Sequence, residues 1–268
     1  MPEAFTPSAP PDQAHGLRRL FASSRVRLVP VVANPNPGFG GVLLERLCTA
    51  LAEQGAHTLL VDASEGAAAP NELAVMGLAA CIEPLSPQLS YLVARGLPLR
   101  FVDNRGSTAP FLQAAIDAAP QADVVLVHAS ASELARLFAR QTLEPVVRPL
   151  LLADDHPASV TQAYAAMKLL VQRAQLKVHH LLLSAAPHSP RAERIAQQLE
   201  KCADLFLGAV LHDWAQVDPA SAPHDPIPLA LHRLVRTLLQ GAADTDPMPA
   251  ALPPVALWQR APAAMALN

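Results

Sequence analysis

Arg27-Leu28-Val29-Pro30-Val31-Val32-Ala33, then Asn34-Pro35-Asn36-Pro37-Gly38-Phe39-Gly40-Gly41, then Val42 to Gln54 (VLLERLCTALAEQ) is the stretch on which the fold turns. The first segment is an almost unbroken apolar run, the pattern of a buried strand, and the last repeats its leucines at helical spacing. Gly55 closes that helix, and His57-Thr58-Leu59-Leu60-Val61-Asp62 reads as a second strand. Strand, glycine-rich loop, helix and strand ending in Asp is the layout that cradles phosphate at a helix N-terminus. A working loop of this kind needs inward N–H groups, a Lys on the β- and γ-phosphates and a Ser or Thr on Mg²⁺. Between Ala33 and Cys48 there is no Lys, Ser or Thr, and Pro35 and Pro37 each remove an N–H donor. The layout is kept while its chemistry is missing.

Outward from this stretch, the 268 residues are enough for one sizeable α/β unit with extensions, or at most two small ones. Half the chain is apolar (51%), so a large core is easily supplied. With net charge −3 and no block of Lys or Arg, nothing favours a nucleic-acid or anionic-membrane partner. Cys48, Cys81 and Cys202 are scattered in apolar or helical contexts, which reads as buried free thiols in a reducing cytosol. There is no apolar run of transmembrane length and no signal-peptide layout in residues 1–25, so a cytoplasmic protein is expected. Three parts are expected: an N-terminal segment 1–23 with a short helix near 12–21, a main unit 24–240, and a Pro/Ala-rich tail 241–268.

Within the main unit, short apolar strands alternate with amphipathic helices. Strands are expected at Leu99–Asp103, Ala122–His128, Val146–Leu152, Val178–Leu183 and Leu205–Leu211. Helices are expected at Leu73–Ile82, Ala109–Ala118, Glu133–Ala139, Ser159–Ala174, Arg191–Cys202 and Pro228–Leu239. Continuous apolar strands separated by helices imply an α/β doubly wound fold, a mostly parallel sheet with helices on both faces.

Three stretches carry a family resemblance. Leu51-Ala52-Glu53-Gln54-Gly55 with Leu59-Leu60-Val61-Asp62-Ala63 is the first. Asp155-His156-Pro157-Ala158-Ser159-Val160-Thr161-Gln162-Ala163-Tyr164-Ala165 with Met167-Lys168-Leu169-Leu170 is the second and most specific. Leu199-Glu200-Lys201, Ala203-Asp204 and Phe206-Leu207 form the third. In collinear order these resemble the MinD/ParA-like P-loop ATPases, and within them the FlhG (FleN) type of flagellar-number regulator. Upstream, Asp12-Gln13-Ala14-His15-Gly16-Leu17-Arg18 is similar to the element with which that family engages FlhF, a GTPase of the signal-recognition type. Physically, Ala14, Leu17 and Phe21 share one helix face, Asp12 suits an N-cap, and Gln13 is a side chain of the type that orients a water. The bland alternative is a short helix packed on its own domain.

The resemblance implies partner-binding by Asp12, Gln13, Ala14, Leu17 and Arg18, and a residual nucleotide site at Gly38, Phe39, Gly40, Gly41 and Asp62. It also exposes departures. The family's phosphate-binding Lys falls on Gly40, its Mg²⁺-binding Thr on Gly41, and its dimer-spanning Lys on Pro35. The Asp-x-Asp after the second strand becomes Asp62-Ala63-Ser64, the Asp at the end of a later strand becomes His128, and the adenine-side Asn becomes Ala near Ala185. Hydrolysis depends on positioning and charge stabilisation by those groups. The expectation is therefore a regulator of flagellar number or placement with little or no ATP hydrolysis, no catalytic residue and no metal ligand. ATP and Mg²⁺ remain the only cofactors to consider. An FlhF-type GTPase and flagellar basal-body components are its implied partners, at the cell pole or flagellar base, with membrane contact weak or indirect. The alternatives are a true ATPase switch using non-standard residues, or a scaffold in another polar-assembly system. His179-His180 point to opposite faces of a strand and lack a ligand spacing, so they read as solvated or structural. Asp154-Asp155-His156 reads as a structural loop, and Ser132 and Ser184 lack the context of a nucleophile.

Overall fold

A computed structural model describes residues 26–36, 38–71, 77–104, 106–139 and 147–240. Eight strands form one sheet in the order β3-β4-β2-β5-β1-β6-β7-β8. They are β1 (Arg27–Val32), β2 (Thr58–Asp62), β3 (Ile82–Ser86), β4 (Leu89–Val93), β5 (Val124–Ala129), β6 (Leu150–Asp154), β7 (Val178–Ser184) and β8 (Val210–Val217). All neighbours pair in parallel except β3, which runs antiparallel to β4 at one edge. The helices are α1 (Gly40–Glu53), α2 (Pro110–Ala118), α3 (Ala131–Phe138), α4 (Pro157–Ala174), α5 (Pro190–Leu207) and α6 (Leu229–Gln240). The doubly wound expectation holds.

Strand residues alternate between two cores. Val29, Val31, Leu60, Leu126, Leu152 and Leu182 face α1 and α6, where Leu43, Leu47, Leu231 and Leu234 are buried against them. Val32, Val61, Val125, Val127, Leu151 and Leu181 face α2 to α5 through Phe111, Leu134, Met167 and Leu199. Burying both faces is what lets these strands read as continuous apolar runs. The chain winds from β1 to β2 on one side and from β5 to β6 on the other. The order therefore reverses beside β1, and the crevice at the C-terminal ends of β1, β5 and β2 is where such sheets hold ligands.

Four expectations are corrected. Leu99–Asp103 is not a strand: Pro98–Phe101 forms a short 3₁₀ turn, with Pro98 at its first position, where its missing N–H costs nothing. Of Leu73–Ile82, residues 72–76 lie outside the described set, Leu78–Cys81 is a 3₁₀ turn, and Ile82 opens the hairpin β3–β4, which the helical reading overlooked. Pro84 is tolerated there because β3 is an edge strand. Leu205–Leu211 is divided: α5 continues to Leu207 because Leu199 and Ala203 keep its buried face, Gly208 ends it at φ +56°, and β8 begins at Val210. Of the expected strand Val146–Leu152, Val146 lies outside the described set and the strand starts at Leu150. Among the described residues, no helix is long and apolar enough to cross a membrane, and no group of three or more His, Cys, Asp or Glu could hold a metal ion. Cys48 is buried, while Cys81 and Cys202 are only half-buried.

Candidate functional site

The glycine-rich loop leaves the end of β1 and enters α1 where a phosphate loop would. Gly38 and Phe39 form a turn, and Gly40 and Gly41 are the first residues of the helix. Phe39 occupies the N-cap position without a side-chain cap and is 47% exposed, so the free N–H groups of the first turn receive no help from it. A Cβ built on Gly38, Gly40 or Gly41 meets nothing within 4 Å. Crowding at the Cβ position is therefore not why these positions are glycine.

The loop is instead anchored from its start. Asn34 Nδ2 lies within 3.0 Å of the Leu152 and Ser159 carbonyls and 3.1 Å from Ser159 Oγ, and Asn34 Oδ1 accepts the Asn36 N–H at 3.1 Å. Ser159, fully buried in the first turn of α4, accepts the Asp154 N–H through the same Oγ at 2.9 Å. One amide thus ties the loop to the end of β6 and to α4. This is the role the structure gives to the Ser159 stretch on which the sequence resemblance leaned most. Nearby, His156 is a surface residue whose backbone N–H donates to Asp154 Oδ1 at 3.0 Å and closes a turn, in keeping with the structural reading of that loop.

The centre of the crevice holds a polar cluster. Asp62 ends β2 and His128 lies opposite it on β5, in register. Both follow the α1-facing alternation of Leu60 and Leu126. His128 Nδ1 is 3.0 Å from Asp62 Oδ1, with the two side chains 12% and 17% exposed. Asp62 Oδ1 also accepts the Ser64 N–H at 3.1 Å, and Tyr91 Oη donates to Oδ2 at 3.3 Å. Burial opposes the charge on Asp62, but the hydrogen bonds from His128 and Ser64 and the neighbouring imidazole outweigh it, and the carboxyl is held down to about 2. Burial and the Asp62 charge push the Tyr91 phenol up to about 12. Asp62 is thus an ionised carboxylate with both oxygens engaged by the protein itself.

These residues do not fit Mg²⁺ and a nucleoside triphosphate. The ammonium and hydroxyl that would hold phosphate and metal are absent at Gly40 and Gly41, an imidazole stands at the end of β5, and Asp62 already has its partners. Of the residues expected from the sequence, Gly38, Phe39, Gly40 and Gly41 follow β1 and Asp62 ends β2, so all five lie at the C-terminal end of the sheet. Asp12, Gln13, Ala14, Leu17 and Arg18 lie outside the described residues. Sequence reasoning took His128 as a lost metal ligand and missed its pairing with Asp62. The signal was there: two strands ending in Asp and His become neighbours once β5 is placed beside β2. It also missed Arg46, buried at 2% exposure on α1, which reaches the carbonyls of Asp225 at 2.8 Å and Pro226 at 2.9 Å and clamps the loop between β8 and α6.

No family model matches the sequence, and none of the curated proteins matches it either. Solved structures do match. The MinD cell division protein of Aquifex aeolicus superposes with a TM-score of 0.52 at 14% identity, over 80% of this chain and 97% of that one. Cobyrinic acid a,c-diamide synthase of Mycobacterium smegmatis, solved with ADP and magnesium, gives 0.54 at 15% identity, over 81% and 95%. A plasmid partition protein from Borrelia burgdorferi gives 0.52 at 10% identity, over 81% and 97%. At these identities the likeness speaks for architecture alone, and the architecture is that of the MinD/ParA-type P-loop ATPases.

Proposed function

We propose that this chain is a regulatory relative of the MinD/ParA-type ATPases, of the FlhG type, that works as a binding partner rather than as a nucleotide-hydrolysing switch. The observation that carries this reading is the Asp62–His128 pair at 3.0 Å, closed off by Tyr91 and Ser64. In an ATPase of this fold the strand-end carboxylates serve metal and water. Here the one that remains has both oxygens engaged by the protein's own donors, beside a loop without a cation. Phosphoryl transfer is almost wholly positioning and charge stabilisation, and this crevice supplies neither. Gly38 to Gly41 keep N–H groups that hold an anion weakly at most.

The sequence supports the partner: residues 12–20 carry the Asp12-Gln13-Ala14 element and an apolar strip of the kind that docks as a helix in a groove. We assign to this segment the binding of an FlhF-type GTPase and stimulation of its GTP hydrolysis, with Gln13 orienting a water in the partner's site. The test is GTP turnover by the cognate FlhF-type GTPase with and without this chain. Stimulation is expected with the wild type, to be lost with Gln13→Ala, and to be indifferent to ATP. Turnover unaffected by the wild-type chain, with no binding, removes the FlhF reading. ATP hydrolysis by the chain alone, abolished by Asp62→Asn, removes the binding-partner reading altogether.

A further inference from the structure

A groove with a volume of about 670 Å³ runs between α4 and α5, within the size range of small-molecule sites. It begins at the C-terminal end of the sheet, where β6 and β7 give way to these two helices. Its floor and its mouth differ in chemistry. The floor is apolar: Leu199 is buried, and Val160, Tyr164, Ile195 and Cys202 are half-buried. The cations stand at the mouth. Arg191 and Arg194 lie in the first turns of α5, exposed and three residues apart, so their side chains are neighbours on the helix surface. From Arg191 the apolar strip follows α5 as far as Cys202, about 16 Å at the helical rise per residue.

Both guanidinium groups are available to a ligand. Arg194 Nε donates to the Pro190 carbonyl at 3.2 Å, which steadies the base of the fork and leaves its terminal nitrogens over. Among the described residues, no carboxylate lies within ion-pair distance of Arg191 or Arg194. Asp155, the acidic residue that lines the groove, has His156 Nδ1 at 3.7 Å. Thr161 and Gln198 add neutral hydrogen-bonding groups to the rim. A pair of guanidinium forks recognises an oxyanion, carboxylate or phosphate, through parallel N–H donors. An acidic helix of a protein would call for cations spread along the groove, whereas these are confined to one end. One cationic mouth followed by one uncharged apolar strip suits a ligand with one anionic head and one apolar chain.

We propose that the α4–α5 groove binds a free, single-chain anionic amphiphile. Its carboxylate or phosphate head lies on Arg191 and Arg194, and its chain runs over Val160, Tyr164, Ile195 and Leu199 toward Cys202. The site uses neither the N-terminal segment nor the nucleotide crevice, so it stands or falls apart from the FlhF reading.

The probes are laurate and dodecyl phosphate, each titrated calorimetrically into the full chain below its micelle concentration. One-to-one binding with a Kd on the order of 10 µM is expected for at least one of them, and the tighter probe names the head. Shortening that probe to eight carbons should weaken binding at least about tenfold, since each buried methylene is worth up to about fourfold in affinity. Arg191→Gln/Arg194→Gln changes two exposed positions and should weaken the tighter probe at least about tenfold with Tm unchanged. Position is read in the wild type. The bound probe should slow alkylation of Cys202 by iodoacetamide, mapped by mass spectrometry, and leave half-buried Cys81 at the opposite edge of the sheet unaffected. No binding of either probe at about 1 mM overturns the proposal. So does binding that the double variant leaves intact, or that leaves Cys202 as reactive as before. Binding confined to phosphatidylglycerol vesicles overturns it as well, by assigning the groove to a membrane surface.

Discussion

At the scale of single residues, the crevice is defined by the Asp62–His128 pair beside a loop that carries no Lys, Ser or Thr. The acidity of Asp62 records that pairing. Held at about 2 against an ordinary 3.8, Asp62 contributes stability in full above about pH 4 and loses it as the pH falls toward 2. A Cβ at Gly40 or Gly41 meets nothing within 4 Å, so both positions accept a side chain at its first atom. A Gly40→Lys/Gly41→Thr/His128→Asp chain places a cation, a hydroxyl and a strand-end carboxylate at the three positions that the family resemblance singles out. The expected outcome is Mg²⁺-dependent ADP and ATP binding by titration calorimetry. Kd should fall from above about 1 mM in the wild type to the order of 10 µM, a gain of roughly 2.7 kcal/mol. A folded triple variant that still ignores nucleotide would place the defect in the loop backbone at Pro35 and Pro37.

At the scale of elements, α1 is held by more than its apolar face. Arg46 sits among Leu43, Leu44, Leu47 and Leu51, yet it is a charge with 2% exposure. Backbone carbonyls of Asp225 and Pro226 accept from its two terminal nitrogens, with Ala222 and Pro223 at 3.5 and 3.4 Å, while Nε is buried without a partner. A planar fork of donors does this where a point charge cannot. Arg46→Ala removes the clamp between α1 and the 218–227 loop, with an expected loss of about 3 kcal/mol and a Tm lower by roughly 6–12 °C, while Arg46→Lys recovers only part of it. Calorimetric melting of both variants checks this. A clamp of this kind could not be read in advance, because its acceptors lie some 180 residues away. The same distinction runs through the fold. β1, α1, β2, β5 and β7 were legible because local pattern and final burial agree. The β3–β4 hairpin was not, because Ile82–Ser86 is almost wholly exposed at an edge and Pro84 interrupts its alternation. The α5–β8 boundary was misplaced because Leu205 and Phe206 look like strand residues, whereas they are exposed helix residues before Gly208. At the crevice, the missing Lys and Thr were visible residue by residue, but the Asp62–His128 bond existed only once strand order was known.

At the scale of the whole molecule, an acid-sensitive point of the two-layer core lies on β7, one strand in from the β8 edge. His179 and His180 are both fully buried, one under α4 and α5 with Leu181 and Leu183, the other under the α6 face with Leu182. Burial pulls both imidazoles down to about 4. The charges of His212 and Arg148 push further on His180, while Asp213 and backbone groups of Lys177 and Asp213 offset part of the effect. The fold thus keeps both rings neutral over a range in which the unfolded chain, with its ordinary value near 6.5, takes up protons. Stability is complete above about pH 6.5 and drains as the pH falls to about 4. The drain reaches 1.36 kcal/mol per pH unit for each ring, or roughly 2 kcal/mol each at pH 5. Because one ring sits in each core layer, protonation loosens both faces of the sheet at once. The check is urea unfolding at pH 7.5 and pH 5 for the wild type and a His179→Leu/His180→Leu chain. The wild type should lose about 4 kcal/mol more than the double variant between the two pH values. Comparing each protein with itself removes any cost of repacking leucines at pH 7.5. Equal losses in both would show that the acid sensitivity of this fold lies outside β7.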